Sequence, residues 1–440
     1  MVFVQTRRVN LLFWPLLLFL VLNACQAPIK ESLTDENFLI EWNDLSVETM
    51  KTDGINPVLA TRIYLYPNVA AYQLIATNSD EFISLHGKLK SLPELPSPEK
   101  EIEINLAAIT AYYGVMMKLN YREDILTELF EKQTKSYQGL ISEEKITASL
   151  KYGEEVATLI LDWADKDLYK QTKAKPYYTA SKLAGSWKPT PPEYREALEP
   201  HWGSLRCLTI DSIPAFDNPL ALNYSEEIGS PFYDLAIEVY DKANNLTEEE
   251  QLQAEFWDDN PDLNNFQGHI PISRRHINPT AHWMSIIGQI LRKENLSFAD
   301  NARVYTLASI AFFDANIVCW ENKYKYDLIR PVSYIQEQID PDWMPILVTP
   351  PFPEHTSGHS ACSAACAIVL GKILGEPYAF TDSTHYSIGL GVRSFKSFED
   401  AAWEVSRSRF YGGIHYKTGV EQGTEQGFQV GKHIVKYLDL

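Results

Sequence analysis

The fold class follows from residues 297–331, SFADNARVYTLASIAFFDANIVCWENKYKYDLIRP, more than from any other stretch. Apolar side chains recur at three- and four-residue spacing from Phe298 to Lys323, the period of an α-helix. Ser297 and Asp300 stand ahead of the run at the spacing of a capping box. Two cations, Lys323 and Arg330, follow the apolar part, and Pro331 comes next.

The same periodicity marks Glu99–Leu119, Ser142–Leu168 and Pro279–Leu291 upstream. Downstream it marks Ser360–Leu374, Ser397–Arg409 and His415–Leu438. Alternating β patterns are few and short, so the expected fold class is all-α. Two Pro-rich stretches interrupt the helices. Lys170–Pro219 reads as a long packed loop or a boundary, and Asp340–Thr356 leads into His355-Thr356-Ser357-Gly358-His359. No internal repeat and no flexible linker divides the chain, which predicts one helical domain over 38–440.

Of 440 residues, 45% are hydrophobic and 22% charged, which excludes wholesale disorder. With 39 Lys+Arg against 58 Asp+Glu, the formal charge is −19, which argues against a nucleic-acid partner. A small anion held in one local basic pocket remains compatible with that balance.

The first residues, MVFVQTRRVNLLFWPLLLFLVLNAC, carry Arg7 and Arg8, then an apolar run, then Leu22-Asn23-Ala24-Cys25. This pattern predicts a lipoprotein signal peptide over 1–24 and a tether over 25–37, with membrane contact only through a lipidated Cys25. The expected location is that of an exported bacterial lipoprotein, periplasmic or at the cell surface. An ordinary cut near Ala24 would make the protein secreted. No later apolar run of about 18 residues suits a bilayer span. Cys207, Cys319, Cys362 and Cys366 form no CxxC pair and read as buried small hydrophobes.

Three segments gather cations and histidines: Lys323 to Arg330-Pro331, His355 to His359, and Ser408-Arg409 to Gly412-Gly413-Ile414-His415. Ser357 stands where a helix N-cap would, and Gly358 permits close approach to the amides of that helix end, which attracts anions. Arg330 and Arg409 supply planar forks for oxygens, and Lys323 a point charge. His359 lies one turn in, able to exchange a proton with a bound oxygen. Gly412-Gly413 ends the preceding helix and lets His415 turn back to the same point.

In combination, Lys323-x6-Arg330-Pro331, Ser357-Gly358-His359 and Ser408-Arg409-x5-His415 resemble the three-part motif shared by vanadium-dependent haloperoxidases and type 2 phosphatidic acid phosphatases. The resemblance implies a large helical bundle with its catalytic part in about 298–440, and vanadate as cofactor. It implies that His415 binds the metal centre, while Lys323, Arg330, Arg409, Ser357 and Gly358 hold its oxygens. His359 would act as acid and base, and Lys323 would polarise bound peroxide. The implied substrates are hydrogen peroxide and halide, iodide or bromide favoured, with an organic acceptor possible. Trp320 and Phe352 match aromatic positions near the halide site of the chloroperoxidase branch.

Two positions depart from the family pattern. Thr356 replaces a proline, and Gly419 stands where an acid four residues after His415 would orient its ring. A backbone carbonyl or Glu421 is the expected substitute. His355 reads as a proton relay or a surface turn residue. The remaining histidines (His86, His201, His269, His276, His282, His385 and His433) fit no ligand spacing. Two alternatives use the same cradle: an acid phosphatase with His415 as nucleophile, and a non-catalytic oxyanion-binding protein, for which Gly419 is the sign.

Overall fold

The computed structural model describes residues 36–260, 264–267, 270–273 and 277–440. The expected signal peptide, Cys25, residues 25–35 of the tether, His269 and His276 lie outside the described residues.

The chain begins with α1 (Phe38–Asp53), α2 (Pro57–Thr77), α3 (Ile104–Leu119), α4 (Glu123–Lys135), α5 (Glu143–Ala164) and the short α6 (Tyr169–Lys173). After a long irregular stretch come α7 (Pro231–Asn244), α8 (Glu248–Phe256), a hairpin of β1 (Asn264–Gln267) and β2 (Ile270–Ser273), and α9 (Pro279–Glu294). The last part holds α10 (Phe298–Tyr326), α11 (Pro331–Gln338) and α12 (Gly358–Leu374). Antiparallel β3 (Phe380–Asp382) and β4 (Arg393–Phe395) follow, then α13 (Phe398–Tyr411) and α14 (Lys417–Leu438). The all-α class holds, and the described residues form one compact unit.

Helix α10 is the axis of the fold. Ser297 caps it by accepting the Asp300 amide, and Asp327, at φ 48°, ends it in the left-handed region. It packs on α2, α12 and α9 and is buried over nearly its whole length. By length and composition it is apolar enough to cross a membrane, which the sequence reading did not allow. Its apolar window is instead covered by the rest of the fold.

Several expected boundaries shift for local reasons. Helix α3 starts at Ile104 rather than Glu99, because the Glu103 amide donates to Ser149 Oγ of α5 at 2.8 Å. Helix α5 stops at Ala164 rather than Leu168. Beyond it, Asp167 is held by Arg62 Nε at 2.6 Å and Tyr66 OH at 2.7 Å, and Leu168 turns to φ 76°. The stretch 170–219 is a packed loop: its Leu198 amide donates to Pro351 O, and its Leu198 carbonyl accepts from Trp320 and Tyr324.

Helices α12 and α14 approach closely because α14 presents Gly423, Gly427 and Gly431 to the Ser357–Ala365 face of α12. A Cβ at Gly427 would stand 2.1 Å from Ala361 O, so no other residue fits there without moving a backbone. This contact fixes the segment bearing Ser357 and His359 against the one that begins just after His415.

Candidate active site

Every cation and histidine of the three motifs sits at a helix end. Lys323 is in the last turn of α10, Arg330 is the residue before α11, and Ser357 caps α12. Arg409 is in the last turn of α13, and His415 lies in the turn to α14. Gly413, at φ 75°, makes that turn tight enough for His415 to face back. The three distant stretches converge: Arg330 Nη1 is 3.1 Å from His415 Nε2, and Arg409 Nη1 is 3.5 Å from His359 Nε2.

The cations are held by carbonyls. Lys323 Nζ donates to Pro353 O at 3.0 Å and Glu354 O at 3.1 Å. Arg330 donates from Nε to Phe352 O and from Nη1 to Ile414 O, both at 2.8 Å. Arg409 donates to the carbonyls of Asp258, Trp257 and Ala254, and from Nε to Ser408 Oγ. Carbonyl oxygens satisfy donors without cancelling charge, so the positive potential persists in a buried place. Burial pushes the Lys323 ammonium well below the usual lysine range, and it pushes both guanidinium groups down to about 10. Burial and the neighbouring cations hold the His359 and His415 rings far below their usual value, so both are neutral near pH 7.

What orients His415 is Glu354. Its Oε1 accepts from His415 Nδ1 at 2.7 Å and from the Tyr416 amide at 3.1 Å. Since an arginine only donates, the Nε2 facing Arg330 must carry a lone pair, which agrees with a proton on Nδ1. The expected substitutes are therefore corrected. Glu421 is exposed, and the carboxylate comes from 61 residues upstream. No spacing rule connects residues so far apart, and only an acid next to the His355–His359 segment hinted at it.

Trp320 and Phe352 do meet at the site. Their rings are 5.0 Å apart, and Lys323 Nζ lies over both, 5.0 Å from Phe352 and 5.8 Å from Trp320. They line a cavity together with Gly358, His359, Cys362 and His415. His355 is not a surface turn residue: it is buried, and its Nε2 donates to Asn218 O at 2.6 Å. Thr356 holds its place by donating to Gln426 Oε1 at 2.7 Å. The four named cysteines are free and buried, as expected.

Behind Arg409 lies a second cluster that sequence spacing does not reveal. His282 donates from Nδ1 to Asp259 at 2.9 Å and from Nε2 to Asp382 Oδ2 at 2.8 Å, and His385 Nε2 is 3.3 Å from Asp259. Burial alone would push His282 down, but the two carboxylates push it up to about 10. With a carboxylate on each nitrogen, the ring is an imidazolium stacked on Trp257.

The residues fit a tetrahedral or trigonal oxyanion. Arg330 Nη2 is buried with no partner. At Gly358 a Cβ would come 3.2 Å from Trp320, so the glycine keeps the helix end open beside Lys323. Helical folds with such a cradle define a class of oxyanion-using enzymes, and the comparisons resolve which one. Residues 303–439 match the family model of the VCPO second helical-bundle domain. A bacterial vanadium-dependent iodoperoxidase structure is 40% identical, with a TM-score of 0.84, over 91% of this chain and 96% of that one. A bacterial vanadium-dependent chloroperoxidase structure, 16% identical with a TM-score of 0.68 over 92% of this chain and 98% of that one, shares the fold. The vanadium chloroperoxidase of Curvularia inaequalis is 30% identical over 90 residues, 17% of this chain and only 15% of that protein. The chain belongs to the vanadium-dependent haloperoxidases.

Proposed function

We propose that the protein uses vanadate to oxidise halide with hydrogen peroxide, iodide ahead of bromide, to hypohalous acid or an equivalent. One observation carries this reading: Glu354 holds the His415 ring with an unprotonated Nε2 beside Arg330 Nη1, and the other terminal nitrogen of that guanidinium, Nη2, is buried without a partner. His415 Nε2 would hold the vanadium. Lys323, Arg330, Arg409, the Ser357 hydroxyl and the Gly358 amide would hold its oxygens. When bound, vanadate supplies a Lewis-acidic centre at which peroxide is activated towards halide.

The net reaction, halide plus hydrogen peroxide plus one proton to hypohalous acid and water, needs a proton carrier. His359 is neutral and half-buried at the cavity, so it can take a proton from peroxide and return one to the departing oxygen. Trp320 and Phe352 exclude water beside Lys323. Such a wall favours iodide, the halide that sheds its hydration most easily, and the 40% identical iodoperoxidase supports the same preference. An organic acceptor would take up the oxidised halogen outside this cavity.

From the Leu22-Asn23-Ala24-Cys25 pattern we further propose that the protein is cut before Cys25 and tethered by its lipid outside the cytoplasm. Mass spectrometry of the N-terminal peptide checks this, and an unmodified residue 25 in the processed protein would refute it.

Purified protein assayed with and without orthovanadate decides the activity. Vanadate-dependent iodide oxidation is expected. Hydrolysis of a phenyl phosphate ester, inhibited by vanadate, would assign the phosphatase reaction instead. Neither activity would leave a bare oxyanion binder, although Glu354 removes the argument that Gly419 gave for it.

A further inference from the structure

Gly419 is the third residue of α14, in its first turn, with no positive φ to demand a glycine. Glycine is a poor helix former, so its presence needs a cause. A Cβ at 419 would stand 2.1 Å from Glu354 Oε1 and 2.8 Å from its Cδ. The space that a side chain from 419 would fill is the space that the Glu354 carboxylate occupies.

Glu354 is fixed in that space by its backbone and by one carboxylate oxygen, Oε1, while Oε2 is buried without a partner. Its amide donates to Leu328 O at 3.0 Å, and its carbonyl accepts from Lys323. Its Oε1 takes both His415 Nδ1 and the amide of Tyr416, the residue before α14, which has no side-chain cap of its own. A carboxylate at this spot therefore faces the positive end of α14 as well as the ring.

We infer that positions 354 and 419 share one carboxylate seat behind His415, fillable from either side but not from both, and that Glu354 is the positioning residue for His415 in this chain. The inference rests on reading the site as an oxyanion cradle built on His415. A short acid on α14 and a longer one on the Pro-rich loop are two routes to the same oxygen position, and Gly419 is the vacancy that the loop route requires.

Four variants test it in the anion-free protein: E354A, E354Q, G419D and the double variant E354A/G419D. Ring-nitrogen NMR should show the His415 proton on Nδ1 in the wild type, a changed tautomer balance in E354A, and a return to Nδ1 in the double variant. Calorimetry with orthovanadate should show about a 10–100-fold weaker affinity in E354A and recovery of most of that loss in the double variant. G419D alone, which crowds two carboxylates, should melt at lower temperature than the wild type. Should E354A fail to fold, E354Q carries the measurement, with a shifted ring-nitrogen signal and weaker orthovanadate binding. Wild-type tautomer and affinity in E354A, or in E354Q as its stand-in, would overturn the inference, as would a folded double variant no better than E354A. Failure of the wild type to bind orthovanadate would strike the cradle reading instead, and the tautomer result would still stand.

Discussion

Two clusters of buried charge meet at Arg409, and they are completed in opposite ways. In the cluster of His282, Asp259 and Asp382, each nitrogen of the ring meets a carboxylate, so the one buried cation has its counter-charges within the protein. In the cluster of Lys323, Arg330 and Arg409, most donors meet backbone carbonyls, and one guanidinium nitrogen meets nothing. The carboxyls nearby balance those cations only in part: Glu354 is a single carboxylate, and burial pushes Asp258 up to about 7 against the pull of Arg409. The first cluster is a finished structural joint. The second has an excess of cations that only an anion from outside can complete, which is what separates a binding site from a buried ion pair.

This contrast is broken most severely at His415. His415→Ala should abolish orthovanadate retention and bring vanadate-dependent iodide oxidation to background, measured by gel filtration followed by metal analysis and by triiodide absorbance. His359→Ala should leave orthovanadate affinity nearly unchanged while lowering turnover about 10²–10⁴-fold. Equal loss of binding in both would show that His359 also holds the anion.

On the structural side, His282→Ala strands two buried carboxylates and should cost about 3–5 kcal/mol in unfolding free energy. The pH dependence has a definite sign. The ring, raised from 6.5 to about 10, contributes fully below pH 6.5 and loses its contribution as pH climbs through 10. Asp259 and Asp382, held below 3.8, contribute above that value and lose their contribution on acidification. The gap between wild type and variant, followed by denaturant unfolding, should thus be widest between about pH 4 and 6.5 and shrink towards pH 10. A gap independent of pH would mean that packing against Trp257, not charge, is what His282 provides.

Smaller effects sharpen the picture. Gly427→Ala should cost about 1–3 kcal/mol by forcing α14 off α12, and the shift should weaken orthovanadate binding as well, because it moves His415 relative to Ser357. Glu421→Ala should change stability by less than about 0.5 kcal/mol and leave binding untouched. Weaker binding in that variant would restore Glu421 as the partner of His415.

The cradle was legible because its parts are rare residue types in short, ordered segments, and each lies at a helix end that glycine, serine or proline announces. Trp320 was legible for a related reason: α10 continues past Lys323 to Tyr326, so positions three apart share a face. Helix α2 was not legible, since only Pro57, Leu59 and Thr77 escape burial and no polar face sets a period. Glu354 and His282 were hidden differently. Their partners are fixed by the meeting of segments 61 and 100 residues apart, and a single sequence carries no record of such meetings.

Three consecutive residues have a wider reach than their number suggests. Phe352 O receives Arg330, Pro353 O and Glu354 O receive Lys323, and the Glu354 side chain receives His415. One tripeptide thus sets the aim of three groups borne on three other segments. With Pro350, Pro351 and Pro353 restricting its backbone, it works as a jig. A single-residue insertion between 349 and 354 would misalign lysine, arginine and histidine at once, although it would alter none of them.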